Sequence, residues 1–342
     1  MATATDDPIE MMYERGVTDG LPVVPPTRER VERMLAGAPW RKRDELIGVL
    51  GPQMGKATVE KVAINAVMAG CKPEYFPVVL AGVEGLCDTA LCAHGLSITL
   101  MSGAPLAIIN GPVRNRIGLN CGHNALGHGF RANATIGRAM RLVTMNIGGA
   151  RPHGVTKATM GHPGQYSFLV AENEEISPWE PLHVERGFKR EDSTITFFGG
   201  TGFFQIADFG SSTAEKLVST IGGTMGGGIN NYREYPLMSD TVLILSPEHA
   251  HTIARDGWSK QDVKKYLYET VVRRPEEPRP APRGRAAKWT TADGAVRKFR
   301  SPDTIIIVVA GGTAGRLSVV IPGWVSEELA GSAPVSKLIR LE

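Results

Sequence analysis

The run Thr304-Ile-Ile-Ile-Val-Val-Ala310 empties directly into Gly311-Gly312-Thr-Ala-Gly315. Such a run is too short for a helix, and its β-branched side chains suit a pleated, enclosed surface, so it reads as a buried strand. The glycines behind it would shape a tight loop. The same figure recurs at Pro105-Leu-Ala-Ile-Ile-Asn110, bounded by Gly103 and Gly111, and at Thr241-Val-Leu-Ile-Leu245. Residues 166–171 and 194–198 also read as strands.

Helical signals alternate with these runs. Thr27 caps a helix over Arg28 to Leu35, a second runs from Thr58 to Gly70, and Pro73 opens a third that reaches about Leu86. Asn133 or Thr135 is expected to cap a helix carrying Ile136, Met140 and Val143. Ser212-Thr-Ala-Glu215 has the capping-box spacing, Ser246-Pro247 precedes a helix over His249 to Asp256, and Ser259 caps one running to about Glu269. Strands alternating with helices predict an α/β chain of mixed sheets with flanking helices and some parallel pairing. Two α/β lobes of similar size are expected, at 1–190 and 191–342, with the break in the charged stretch Glu185–Asp192.

Composition narrows the function classes. Apolar residues are 42% of the 342 and charged residues 21%, enough for a packed core and too apolar for global disorder. The net charge of +3 conceals a basic segment: residues 273–300 hold nine Arg and Lys against Glu276, Glu277 and Asp293. Pro275, Pro278, Pro280 and Pro282 make that segment an extended arm. Nucleic acid would instead call for basic residues on a formed element or between stacking aromatics. The arm reads as solvated or wrapped on a neighbouring subunit, which predicts a homo-oligomer. No run approaches 18 apolar residues, and the opening Met1-Ala-Thr-Ala-Thr-Asp-Asp-Pro has no signal-peptide pattern. Four cysteines without a CxxC pair fit a reducing compartment. The expectation is a cytoplasmic protein with no membrane span.

The candidate chemistry gathers in glycine-rich loops. Six of the eight histidines (His94, His123, His128, His153, His162 and His183) fall between residues 94 and 183, most of them beside glycine or proline. Asn120-Cys121-Gly-His123-Asn124-Ala-Leu-Gly127-His128-Gly129 is the densest of these segments. Cys121 is a candidate nucleophile with His123 or His128 as its base. Alternatively, Cys121, His123 and His128 are ligands of a divalent metal such as zinc with an open fourth position, although C-x-H-x4-H matches no standard zinc signature. A small buried thiol among turn residues is the third reading. Arg131, with Asn120 and Asn133, is a candidate anchor for a substrate anion at a helix start. Glu172, at a strand end, is a candidate auxiliary base, with His183 near enough in sequence to join it. Gly311 and Gly312 offer a backbone cradle. The loop lacks the GxGxxG spacing of a dinucleotide site, so neither nicotinamide nor flavin is expected.

Five segments carry a family resemblance: Asp19-Gly-Leu-Pro-Val-Val-Pro-Pro-Thr27, Ala66–Tyr75, Arg131–Arg138, Glu174-Glu-Ile-Ser-Pro-Trp-Glu-Pro-Leu-His183 and Ala254–Lys260. Together they resemble a bacterial family associated with the UGSC-type (seleno)proteins, labelled thiol–disulfide oxidoreductase-like. The resemblance implies an enzyme. The chain has no Cys/Sec-Gly-Ser-Cys motif, so a redox reaction would draw its second thiol from a partner protein or a small thiol. The residues themselves favour hydrolytic or lyase chemistry on a small polar or anionic substrate. A thiol-redox component and a non-catalytic ligand-binding subunit are the alternatives.

Overall fold

The computed structural model describes residues 7–226, 240–273, 291–327 and 331–342. Its elements run α1 (Pro8–Glu14), α2 (Arg28–Leu35), β1 (Leu46–Leu50), β2 (Gly55–Thr58), α3 (Val59–Ala69), α4 (Phe76–Leu86), α5 (Ala93–Ile98), β3 (Ala104–Asn110), α6 (Val113–Arg116), α7 (Arg131–Asn146), β4 (Leu169–Ala171), α8 (Leu182–Glu185) and β5 (Thr194–Gly200). Then follow β6 (Phe204–Ala207), α9 (Ala214–Gly226), β7 (Thr241–Leu245), α10 (Pro247–Arg255), α11 (Lys260–Thr270), β8 (Val272–Arg273), β9 (Val296–Arg297), β10 (Ile305–Val309), β11 (Leu317–Pro322) and β12 (Val335–Leu338). The α/β class and the mixed sheets with flanking helices are as the sequence indicates.

Two four-stranded sheets form the centre, in the orders β12-β5-β3-β4 and β10-β7-β11-β6. In the first, β3 and β4 are parallel, while β5 and β12 run against their neighbours. In the second, β10 and β7 are parallel, while β11 and β6 alternate in direction.

Alternation along each strand explains the layering. Leu106 and Ile108 of β3 face Val242, Ile244, Ile306 and Val308 in a shared layer between the sheets. Ala107 and Ile109 turn the other way, onto a layer built from α3, α4 and α7. On the second sheet Leu243, Leu245, Ile305, Ile307 and Val309 pack against α9, α10 and α11. The order across the molecule is helices, sheet, sheet, helices. Strands enclosed on both faces must be apolar throughout, which is why 305–309 carries no polar residue.

The break expected at 190/191 does not separate the two sheets. β5 and the C-terminal β12 both belong to the sheet that contains β3, and the inter-sheet layer is continuous. The chain returns to its first sheet after building the second, and pairing over that sequence distance leaves no local mark.

Capping is mostly as the sequence suggests. Thr27, Thr58, Ser246 and Ser259 accept from the helix amides that follow them, and Ser259 forms a full capping box with Asp262. Helices α7 and α9 are the exceptions: α9 starts at Ala214 with Thr213 Oγ1 accepting from the Lys216 amide in place of the expected Ser212–Glu215 box, and α7 starts at Arg131 after Phe130, before Asn133 and Thr135. Thr135 Oγ1 donates back to the Arg131 carbonyl, and Asn133 faces a neighbouring loop, so neither is a cap. The central part of the proline-rich segment, residues 274–290, lies outside the described residues, while β8 and β9 pair across its ends. Among the described residues no single helix is long and apolar enough to cross a membrane.

Candidate functional site at the strand ends

The carboxyl ends of β3, β4 and β10 open onto one region, where their loops are stitched together. The Gly311 amide donates to the Cys121 carbonyl at 2.9 Å, and the Asn173 amide donates to the Val309 carbonyl at 2.7 Å. Crevices at such strand ends are the usual ligand sites of α/β sheets. The Cys/His loop and the Gly311-Gly312 loop, some 190 residues apart in sequence, are therefore neighbours.

The Cys121 turn is held by two asparagines. Asn133 Oδ1 accepts from the Asn120 amide at 2.9 Å, and Asn133 Nδ2 donates to the Asn120 carbonyl at 2.8 Å. Asn120 in turn accepts from the Gly122 amide and donates to the His123 carbonyl. Both side chains thus fix the loop that presents Cys121. The exposed His123 ring lies against Gly312, where an added Cβ would fall 2.1 Å from Nδ1. A side chain at 312 would require the His123 ring to swing aside. His128 is also exposed, and its carbonyl, not its ring, is tied down, by Asn124. Arg131 donates to the Gly70 carbonyl at the end of α3 and so belongs to the α3–α7 contact.

Cys121 is half-buried. Burial pushes its thiol above the ordinary value, and the Arg114 guanidinium opposes that effect. All four cysteines are free. Among the described residues neither His123 nor His128 hydrogen-bonds to Cys121, and no group of three or more His, Cys, Asp and Glu is arranged to hold a metal. The histidines do not converge on the sulfur: His94 lies beside Cys92, His153 is on an exposed turn, and His162 is in a recess near the opposite end of β3.

Beneath the loops sits a polar cluster organised by the buried Arg114, which no motif in the sequence marks. Its Nη1 donates to the Glu172 carbonyl at 2.6 Å, its Nη1 and Nη2 grip Glu175 at 3.1 and 3.0 Å, and its Nε lies 3.1 Å from Glu174. That clamp holds the Glu175 carboxyl down at about 2. Glu174 also accepts from the amide of Gly111, which has a φ of +83° that disfavours other residues. The available signal was Asn110-Gly-Pro-Val-Arg114, an arginine one turn past a strand end, paired with acids some 60 residues on.

Glu172 is fully buried. Its Oε2 accepts from Asn110 at 2.6 Å and from the Leu182 amide at 2.8 Å, while its Oε1 has Lys260 at 3.6 Å and no hydrogen bond. Burial raises its pKa against the pull of Lys260. His183 joins the cluster, with Nδ1 3.9 Å from Glu174. Lys260 continues outward to Glu185 at 2.5 Å. The cluster lies behind the loops, so it holds them in place and does not line an opening.

The opening lies on the second sheet's side. A cleft of about 770 Å³ is lined by Ile176, Glu248, His251, Arg255, Thr313 and Arg316, among others. Arg316 is fixed by Glu248 at 2.9 Å and by the carbonyls of Phe209 and Ser211. Two guanidiniums, the Glu248 carboxylate and an exposed imidazole therefore face a space that reaches the 311–315 loop at Thr313, while Cys121 and His123 are not among its lining residues. No family model matches this chain and no curated protein matches it significantly, so the reading of the site rests on this geometry.

Proposed function

We propose that the protein is an enzyme acting on a small polar, anionic substrate in the strand-end cleft, with Cys121 as nucleophile in hydrolytic or lyase chemistry. The supporting observation is the Gly311–Cys121 backbone hydrogen bond, which joins the loop of the candidate nucleophile to the loop that reaches an arginine-lined cleft at Thr313.

In this reading Arg255 and Arg316 hold the anionic group of the substrate. Cys121 rests as a thiol, since burial disfavours the thiolate. His123 takes its proton as the sulfur attacks, and Arg114 offsets the charge that develops on sulfur. In the hydrolytic form His123 gives that proton to the departing group as the covalent adduct forms, and water then cleaves the adduct, releasing the acid and restoring the Cys121 thiol. Asn120, Asn133 and Gly312 position the sulfur and the ring. Glu172 supports the loops through Asn110 and the Leu182 amide. The metal-assisted form would place a zinc ion on Cys121, His123 and His128, and elemental analysis of the purified protein separates the two forms.

The test compares wild type with Cys121→Ala and His123→Ala on a panel of anionic esters, amides and thioesters. Loss of turnover is expected in Cys121→Ala, with a fall of about 10²–10⁴ in kcat/KM for His123→Ala. Full activity in Cys121→Ala overturns the proposal.

A further inference from the structure

A second site lies at the other end of the first sheet. β3 has seven residues and so spans about 20 Å, and its N-terminal end, with Gly103 and Ala104, is far from the Cys121 loop. A recess of about 590 Å³ opens there, lined by Asp19, Arg141, Met160, His162, Gln165 and Tyr166. Arg141 and Gln165 also line a smaller inner chamber of about 30 Å³, with Leu86, Leu96, Phe168 and Phe197 on its walls.

Arg141 is the unusual group. It lies on α7 one turn beyond Arg138, and the two arginines are treated differently. Arg138 has a two-point bond to Asp19, at 2.9 Å from Nε and 2.8 Å from Nη2, and it also donates to the carbonyls of Leu21 and Pro22. Arg141 has no hydrogen bond and no ion pair among the described residues. Burial lowers its pKa, and the only charge acting on it is Asp19, whose two carboxylate oxygens are already engaged by Arg138. A half-buried guanidinium that faces a recess with no protein partner is open to an anion that supplies one.

The surroundings define that anion. Asp19 and Arg138 cancel, leaving a single positive charge. His162 adds none: burial lowers its pKa, and its Nδ1 accepts from the Gly164 amide, which leaves the ring neutral. A dianionic phosphate would need more cations and would meet Asp19. One carboxylate matches the guanidinium in charge and in its two-point geometry. The inner chamber behind the arginine has Leu86, Leu96, Phe168 and Phe197 on its apolar side and Ser97, Thr144 and Ser167 on the other, their hydroxyls bonded to backbone carbonyls, and it has room for little more than a methyl or ethyl group.

We propose that this recess binds a short-chain aliphatic monocarboxylate, with the carboxylate on Arg141 and the alkyl end in the chamber of Leu86, Leu96, Phe168 and Phe197. The site is separate from the strand-end cleft, and its assignment does not depend on the role given to Cys121.

Titration calorimetry with butyrate tests it, with butyramide, 1-butanol and inorganic phosphate as comparison ligands on the same full-length protein. Saturable binding of butyrate is expected, with affinity at least ten-fold lower for butyramide and 1-butanol. Arg141→Gln, checked for an unchanged melting transition, should weaken butyrate at least ten-fold. No saturable binding of butyrate, equal binding of butyramide, or tighter binding of phosphate would each overturn the assignment. The butyramide comparison needs no variant, so the proposal remains open to refutation even if Arg141→Gln fails to fold.

Discussion

The two central sheets share one pattern of strand directions but end in different chemistry. In each, a parallel pair is followed by two antiparallel strands, and the sequence-to-space order is the same once β6 is counted as the last strand of its sheet. The residue after β4 is Glu172 and the residue after β10 is Ala310, both buried. On the first sheet this end is filled by ionised and amide groups around Arg114. On the second it is apolar, followed by a glycine loop, and open to the cationic cleft. The comparison teaches a division of labour. One half carries a closed polar scaffold behind the Cys121 loop, and the other carries the open cleft that the neighbouring 311–315 loop reaches.

The largest effect that could break this comparison is on stability. Arg114→Ala leaves the buried Glu172 carbonyl and the largely buried Glu174 carboxylate without their partner and is expected to cost about 3–5 kcal/mol. Arg316→Ala, on the open side, should cost only about 1–2 kcal/mol, since its Glu248 partner is partly exposed. Urea denaturation midpoints of the two variants check the contrast, and equal losses would remove it. A smaller effect is expected at the join between the halves. Gly312→Ala would displace the exposed His123 ring and cost about 0.5–1 kcal/mol. Gly210→Ala, where nothing lies within 4 Å, should change thermal stability by less than about 0.5 kcal/mol.

The smallest effect is a difference in pH dependence within the polar scaffold. The folded pKa of Glu172 is raised above its ordinary value of 4.5, so its favourable contribution is complete below that pH and is lost as pH rises through the folded pKa. That of Glu175 is lowered to about 2, so its contribution is present above 4.5 and is lost as pH falls toward 2. Glu172→Gln should therefore flatten the stability profile on the alkaline side of 4.5, and Glu175→Gln on the acid side. Denaturation at a series of pH values reads both slopes, and identical profiles would show that the two carboxyls are not held differently.

Much of this was legible because it is local. The strand at 305–309 is marked by its β-branched run, the caps of α2, α3, α10 and α11 by their hydroxyl residues, and the 120–124 and 311–315 loops by their glycines. Glu172 and His183 could be singled out from a strand end. What could not be read is what depends on distant partners. Nothing around Arg114 announces that acids sixty residues away will surround it. Helix α7 begins ahead of its expected caps because Asn133 is committed to the Asn120 backbone, a contact across thirteen residues of loop and helix. The histidines are dense in sequence, but turns that are close in sequence leave from opposite ends of β3. The return of β12 to the first sheet is a pairing over more than a hundred residues.

The most direct test of the central claim is the rate at which Cys121 is alkylated by iodoacetate relative to iodoacetamide, followed by mass spectrometry at neutral pH. A sulfur beside Arg114 and next to a cleft with Arg255 and Arg316 should react faster with the anionic reagent, the reverse of an isolated thiol. Double replacement of Arg255 and Arg316 by alanine should reduce that advantage. A Cys121 that prefers iodoacetamide, or that resists both reagents up to pH 9, would contradict the account.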